Sequence, residues 1–343
     1  MNFFQIISEI EKVDPEVYDR LDSRRSVFKN MAGIGQKLSA AALPLAVSAI
    51  FTKAYAQTNT GLAVTDVLNF ALKLEYLESY FYNQRPTALF NTNTAASLAL
   101  IATDESNHVK FLVNTITSLG GTPIAVPATT GVFDYTGSQG GKRAATFATY
   151  LTDAGVYLAL AQSFEDTGVR AYKGAAPLTA VMNNKTVLTA ALNIHSVEAR
   201  HSSQLRAIRR ALATSGTPAP SQGIAVSPYS AAPKSWISGN DNGGASPSSS
   251  PVSTSGIYGA GNDTGTATYG VTPVSGTTAG VTFLSESNVI QGGVTLSAST
   301  IPGASTFPAA AANSYSEAFD EGLDVGTVAA IANNFSVSGN YFG

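Results

Sequence analysis

Apolar residues recur at spacings of three and four through residues 61–214, and that rhythm is lost in the residues that follow. Four long segments carry the pattern and predict helices over about 62–84, 94–119, 144–174 and 178–213. Helix-stopping residues stand between them, at Arg85-Pro86, Gly120-Gly121-Thr122-Pro123 and Gly174-Ala175-Ala176-Pro177. The tight third break makes the last two helices antiparallel neighbours. The link from Gly120 to about Lys142 is long enough to travel the length of a bundle. The expected fold class is all-α, a four-helix bundle with a long crossover between helices 2 and 3.

The flanking regions change this picture in different ways. Residues 215–343, which are 129 of the 343, are rich in Gly, Ser, Thr and Pro, with almost no charge between 221 and 282. Low complexity of this kind buries little apolar surface and reads as a largely irregular extension. Pattern returns at Ser316-Glu317-Ala318-Phe319-Asp320-Glu321, ahead of a short helix expected near 325–335, and this last stretch is expected to dock on the bundle. At the other end, Ser23-Arg24-Arg25-Ser26-Val27-Phe28-Lys29 reads as a twin-arginine export motif. The apolar stretch after it, 38–51, is too short and too rich in Ala and Ser to span a bilayer stably. Ala54-Tyr55-Ala56 is a small-x-small cleavage pattern, so the mature chain is expected to start at Gln57 without an integral membrane span. The reading is a signal region at 1–56, a bundle at 57–214 and an extension at 215–343, in a protein exported to the periplasm or surface of a bacterium.

Composition removes several function classes. A net charge of −3 and the lack of Lys/Arg runs outside the first thirty residues argue against nucleic acid and anionic membranes as partners. No cysteine is present, so disulfides, thiolate sites and iron–sulfur clusters are excluded. Any metal must be held by carboxylates and histidines.

Only five glutamates occur in residues 61–214, and each lies within a predicted helix among apolar neighbours: Glu75, Glu78, Glu105, Glu165 and Glu198. Two open the pattern Glu-x-x-His, at Glu105–His108 and Glu198–His201, a spacing that puts both side chains on one helical face. The other two helices share a different spacing, with Glu75 seven residues before Tyr82 and Glu165 seven before Tyr172. Helices 1 and 3 thus offer a Glu each, and helices 2 and 4 a Glu-x-x-His each, which is the ligand arithmetic of two-metal carboxylate bundles. Four carboxylates facing one another would repel and lose hydration; two divalent cations cancel their charge. Oxygen-rich ligation with one imidazole per metal suits iron or manganese. The candidate ligands are Glu75, Glu105, His108, Glu165, Glu198 and His201.

Four further residues border this set. Glu78 follows Glu75 by one turn, and the shared spacing to tyrosine favours Glu75 as the ligand. His195 shares a face with Glu198 and is read as an outer or surface histidine. Tyr82 and Tyr172 either hydrogen-bond a ligand or pack, with packing the expectation. Asp104 and Asp166 neighbour ligands but point about 100° away, toward an outer or solvated role.

At these residues the chain resembles the ferritin-like superfamily, and more closely the ferritin-like domain proteins grouped with plant desiccation-related proteins. The matching stretches are 72–82, Asp104-Glu105-Ser106-Asn107-His108-Val109, 164–176 and Glu198-Ala199-Arg200-His201. The resemblance implies an up-down-down-up bundle with a dinuclear site at the Glu and Glu-x-x-His positions. Related bundles include iron stores, ferroxidases, rubrerythrins, manganese catalases and oxygenases, so it fixes no activity. Helix 3 lacks the extra glutamate of a rubrerythrin-type site. The expectation is an exported protein with a dinuclear centre that acts on peroxide, dioxygen or ferrous iron, with no phosphate-cradling glycine loop and with a homo-oligomer as a possible assembly; the alternative is a structural or stress-protective protein with a vestigial or stabilising metal site.

Overall fold

The computed structural model describes residues 62–128, 130–214, 233, 236–237, 255–261, 283–297 and 315–343. The export motif and cleavage pattern lie outside these residues, as does most of the low-complexity stretch. No helix among the described residues is long and apolar enough to cross a membrane.

Each long helix starts and stops for a local reason. The first, α1 (Val64–Asn83), ends just ahead of Arg85-Pro86, since the residue before a proline avoids helical geometry. The second, α2 (Thr92–Ser118), begins on Asn91, whose side chain accepts from the Thr94 amide at 2.9 Å. It ends where Gly120 takes a φ of +77° and the Gly121 amide returns to the Ile116 carbonyl.

The periodicity predicts the third helix from 144, but α3 (Ala154–Ala175) starts ten residues later (154 − 144). Asp153 caps it, accepting from the Gly155 and Val156 amides at 2.8 and 3.2 Å. The residues before the cap are bonded elsewhere: the Phe147 amide to the Thr136 carbonyl, and the Tyr150 hydroxyl to Gln84 Oε1. The fourth predicted helix is split into a single turn, α4 (Thr179–Met182), and α5 (Lys185–Thr214). Asn184 makes the break, because its side chain takes the Val187 amide at 3.1 Å and restarts the helix.

The four long helices form the all-α bundle, with α1 packed on α2 and α3 on α5. The crossover from α2 to α3 runs up the flank of α1. Asn69 holds it at Thr122 and Ile124, Tyr80 reaches the Pro127 carbonyl, and Tyr135 donates to the Leu77 carbonyl at 2.7 Å. The crossover therefore spans most of the bundle's length.

The C-terminal chain lies against α3. A final helix, α6 (Val325–Asn333), starts on Asp324, which accepts from the Thr327 amide. Phe335 then packs on Phe164 with ring centroids 4.9 Å apart, and the Val337 amide bonds to the Val132 carbonyl. Upstream, a two-residue hairpin pairs β1 (Ile290–Gln291) with β2 (Val294–Thr295) through Gly292-Gly293, both at positive φ. The closest approach is at Gly174, where an added Cβ would meet the Leu323 carbonyl oxygen at 1.9 Å. Covered by the bundle on one side and the extension on the other, α3 is buried at every residue from Ala154 to Arg170.

Candidate metal centre

The helical faces defined by spacing converge at mid-bundle. Glu75 comes from α1, Glu105 and His108 from α2, Glu165 from α3, and Glu198 and His201 from α5; all six are buried. Ligand atoms of Glu75, Glu105, His108 and Glu198 lie within 4.8 Å of one another, and so do those of Glu105, Glu165, Glu198 and His201. Glu105 and Glu198 belong to both sets. The arrangement is a pair of half-sites, Glu75 with His108 and Glu165 with His201, flanking two shared carboxylates.

The distances follow this division. His108 Nδ1 stands 3.3 Å from Glu75 Oε2, Glu105 Oε2 and Glu198 Oε1. His201 Nδ1 stands 3.0 Å from Glu105 Oε1 and 3.2 Å from Glu165 Oε2. These groups could hold a metal ion, and one observation tests the fit. Glu75 Oε2, Glu105 Oε1 and both oxygens of Glu198 are buried without a well-formed hydrogen bond, three of them facing only an imidazole Nδ1 that is shared with other carboxylates. Buried acceptors are almost always satisfied, so orphaned carboxylate oxygens around one point are what a cation would complete.

The protonation pattern of the protein without a metal reflects the same excess of negative charge. Burial raises Glu105 to about 7, helped by the charge of Glu165. Burial, then the charges of Glu105 and Glu165, push Glu198 well above the usual carboxylate range. Burial opposes the protonated form of His201, but Glu165 and Glu105 overcome it and push the imidazole up to about 12. His108 is driven upward in the same way by Glu105, Glu198 and Glu75. Without a metal, imidazolium supplies the countercharge.

The bordering residues divide. Contrary to the packing expectation, both tyrosines hydrogen-bond a candidate ligand, and each serves the other helix. The Tyr82 hydroxyl on α1 donates to Glu165 Oε1 at 2.5 Å, and the Tyr172 hydroxyl on α3 donates to Glu75 Oε1. Burial, then the neighbouring carboxylate charge, raises both phenols well above their ordinary range and keeps them as donors. Glu78 is buried beside the cluster but outside both sets; burial and the charge of Glu198 raise its pKa well above the ordinary value. His195 points away, with Nδ1 2.9 Å from the Val169 carbonyl oxygen.

Asp104 does have an outer role: its side chain is 49% exposed, and Oδ2 lies 3.1 Å from His201 Nε2. A carboxylate behind an imidazole fixes the ring and its tautomer, which suits a metal-ligating histidine. Asp166, by contrast, is fully buried rather than solvated, and it bonds Arg206, Ser202 and Tyr258. Sequence reasoning missed Gly168. An added Cβ there would lie 2.7 Å from Glu198 Oε2, so only glycine leaves that carboxylate its place. The available signal was a glycine inside an apolar helix, three residues after Glu165.

Residues 63–211 match the family model of the ferritin-like domain. Comparisons with curated proteins and with solved structures give no significant match.

Proposed function

With residues 63–211 a ferritin-like domain, we propose that its buried carboxylate and imidazole cluster is a two-metal centre that reacts with an oxygen-derived oxidant. The crowded carboxylate oxygens carry this reading, because the two imidazoles are the only nearby protein donors for them, and one Nδ1 proton each cannot satisfy them all. Glu75 and His108 would hold one metal, Glu165 and His201 the other, and Glu105 and Glu198 would bridge. Iron or manganese fits a donor set of carboxylates with one imidazole nitrogen each. Such a pair, when bound, supplies Lewis acidity and electrons to a small oxidant.

The chain's own residues prepare the site. Tyr82 and Tyr172 each hold one oxygen of a terminal glutamate, which leaves the second oxygen directed to the metal position. Asp104 orients His201. The apolar bundle around the cluster limits water and raises the strength of every charge interaction inside it. The twin-arginine motif fits this reading, since that route carries folded proteins with cofactor already inserted, and it supports a periplasmic or cell-surface location.

The test is a metal count on the mature chain, by plasma mass spectrometry, beside a Glu165→Ala/His201→Ala variant. The expected result is about two iron or manganese ions per chain, lost in the variant. Fewer than about 0.2 transition-metal ions per chain after reconstitution would overturn the two-metal reading. Two bound metals with no reaction toward peroxide, dioxygen or ferrous iron would leave the metal a stabilising role and overturn the catalytic part.

A further inference from the structure

A hollow of about 140 Å³ opens to solvent on α5, where the C-terminal extension crosses that helix. Its floor is Ala199, Ser202 and Ser203, which share one face of α5 and are small enough to leave room above it. One wall is Trp236, and the other runs from Glu317 to Asp320. Trp236 is the only tryptophan of the chain, yet its residue surface is 56% exposed, and Phe319 across from it is 37% exposed. Both stand on anchored backbone. The buried Arg206 donates to the Trp236 carbonyl at 2.9 Å, and the next residue, Ile237, is buried. The Phe319 amide closes a turn on the carbonyl of the buried Ser316. Three polar groups of the walls and floor are also uncommitted. The Trp236 indole N–H, the Ser203 hydroxyl and the Asp320 carboxylate have no hydrogen-bond partner among the described residues.

We propose that this hollow binds one neutral pyranose sugar unit, stacked on the Trp236 ring and bonded through its hydroxyls to Asp320, Ser203 and the indole N–H. A pyranose has an apolar C–H face and a rim of hydroxyls, and the walls divide in the same way between exposed ring surface and open polar groups. The size agrees: at roughly 10–15 Å³ for each water-sized atom, the hollow holds about ten, close to the heavy atoms of a single sugar ring. Charge selects against other small ligands. An anion would face Glu317 and Asp320. A cation gains less than these carboxylates suggest, because the basic groups Lys173 and His195 already stand within electrostatic reach of Asp320. A sugar hydroxyl brings no net charge and donates to a carboxylate, which is one of the stronger hydrogen bonds. None of these side chains belongs to the carboxylate and imidazole cluster, so the proposal does not depend on the two-metal reading.

Because Trp236 is the only tryptophan, its fluorescence in the full chain reports on this site alone. The chain is titrated with glucose, galactose, mannose, maltotriose and cellotriose, and with tetramethylammonium as the cation control. The expected result is a saturable change with at least one sugar, at a dissociation constant of about 1 mM. Variants are followed by saturation-transfer NMR of the sugar, which needs no tryptophan. Trp236→Ala should abolish binding, and Asp320→Asn should weaken it about tenfold with the metal count unchanged. Trp236→Phe should keep part of the affinity, and it replaces the alanine variant should that one fail to fold. A monosaccharide bound as tightly as the trisaccharides marks a free sugar as the ligand, and tighter trisaccharides mark a glycan chain; both sustain the proposal. No saturation with any of the sugars overturns it. So does full binding in Trp236→Ala, or saturation by tetramethylammonium alone, which would make the hollow a cation site.

Discussion

Two buried clusters of charge sit on different faces of α3, about 100° apart and one residue apart in sequence, and they are built in contrary ways. On the inner face, Glu165 joins three other carboxylates and two imidazoles, and four carboxylate oxygens there have no hydrogen bond. On the outer face, Asp166 accepts from Ser202, Arg206, Tyr258 and Gln162, so both its oxygens are bonded. Beside it, the fully buried Arg170 pairs with Glu286 and bonds the carbonyls of Ile257, Gly259, Leu284, Glu321 and Gly322. The outer cluster shows how this protein pairs buried charge when the purpose is to tie the extension to the bundle, with Glu286 Oε2 the one oxygen of its two carboxylates that lacks a hydrogen bond. The inner cluster gathers four such oxygens around one point, and that concentration is what marks it as a place for a cation.

The sharpest break in this comparison is on the outer face. Arg170→Ala leaves Glu286 buried and unpaired and frees several carbonyls, so it should cost about 3–5 kcal/mol in calorimetric stability. The loss should be equal with and without metal, which separates tethering from metal binding.

Next comes pH, read on protein stripped with a chelator. Glu105 rises from an ordinary 4.5 to about 7 in the fold, so between these values the folded state binds more protons than the unfolded state. Stability contributed by its neutral form is present below about 4.5 and is lost as pH rises through about 7, with an upper size of ~3 kcal/mol. His201, raised from 6.5 to about 12, acts in the same direction above 6.5. Metal-free protein should therefore melt at progressively lower temperature from pH 5 to pH 9. A metal-loaded sample should resist this, because binding replaces those protons. A flat profile for the metal-free protein would contradict the excess of negative charge.

Neutralising one carboxylate in each cluster should give opposite signs. Glu198→Gln replaces a carboxyl that the metal-free fold must hold protonated, and it should stabilise the metal-free protein by about 1–2 kcal/mol while lowering its metal count. Asp166→Asn removes a paired charge and should cost about 2 kcal/mol without changing the count. Chemical denaturation of both variants decides this. The smallest effect is expected at Asp104: Asp104→Asn should weaken metal binding about tenfold, by competition with a chelator, and leave the fold intact.

Much of the inner face was legible along the chain because helical periodicity turns spacing into direction. Glu105 with His108 and Glu198 with His201 must share a face wherever the helices go. Which of bonding and packing the tyrosines would do was not legible, for a reason of scale. Seven residues along a helix are about 10.5 Å, too far for Tyr82 to reach Glu75 on its own helix. Opposed packing of α1 and α3 brings Tyr82 to Glu165 and Tyr172 to Glu75 instead. The outer face was not legible at all. Arg170 meets partners 87 to 152 residues away, in chain without periodicity.

The sequence by itself determined the four long helical segments apart from the start of α3 and the break at Asn184, and the set of acidic and imidazole groups each would turn inward, since these depend on local backbone geometry and residue type. Tertiary structure alone decided that Glu105 and Glu198 are shared between two half-sites, that Gly168 makes room for Glu198, that Asp166 is buried, and that an apolar pocket is lined in part by Tyr172. Each of these is a matter of which helix faces which and how closely, and such distances arise only when separate segments pack.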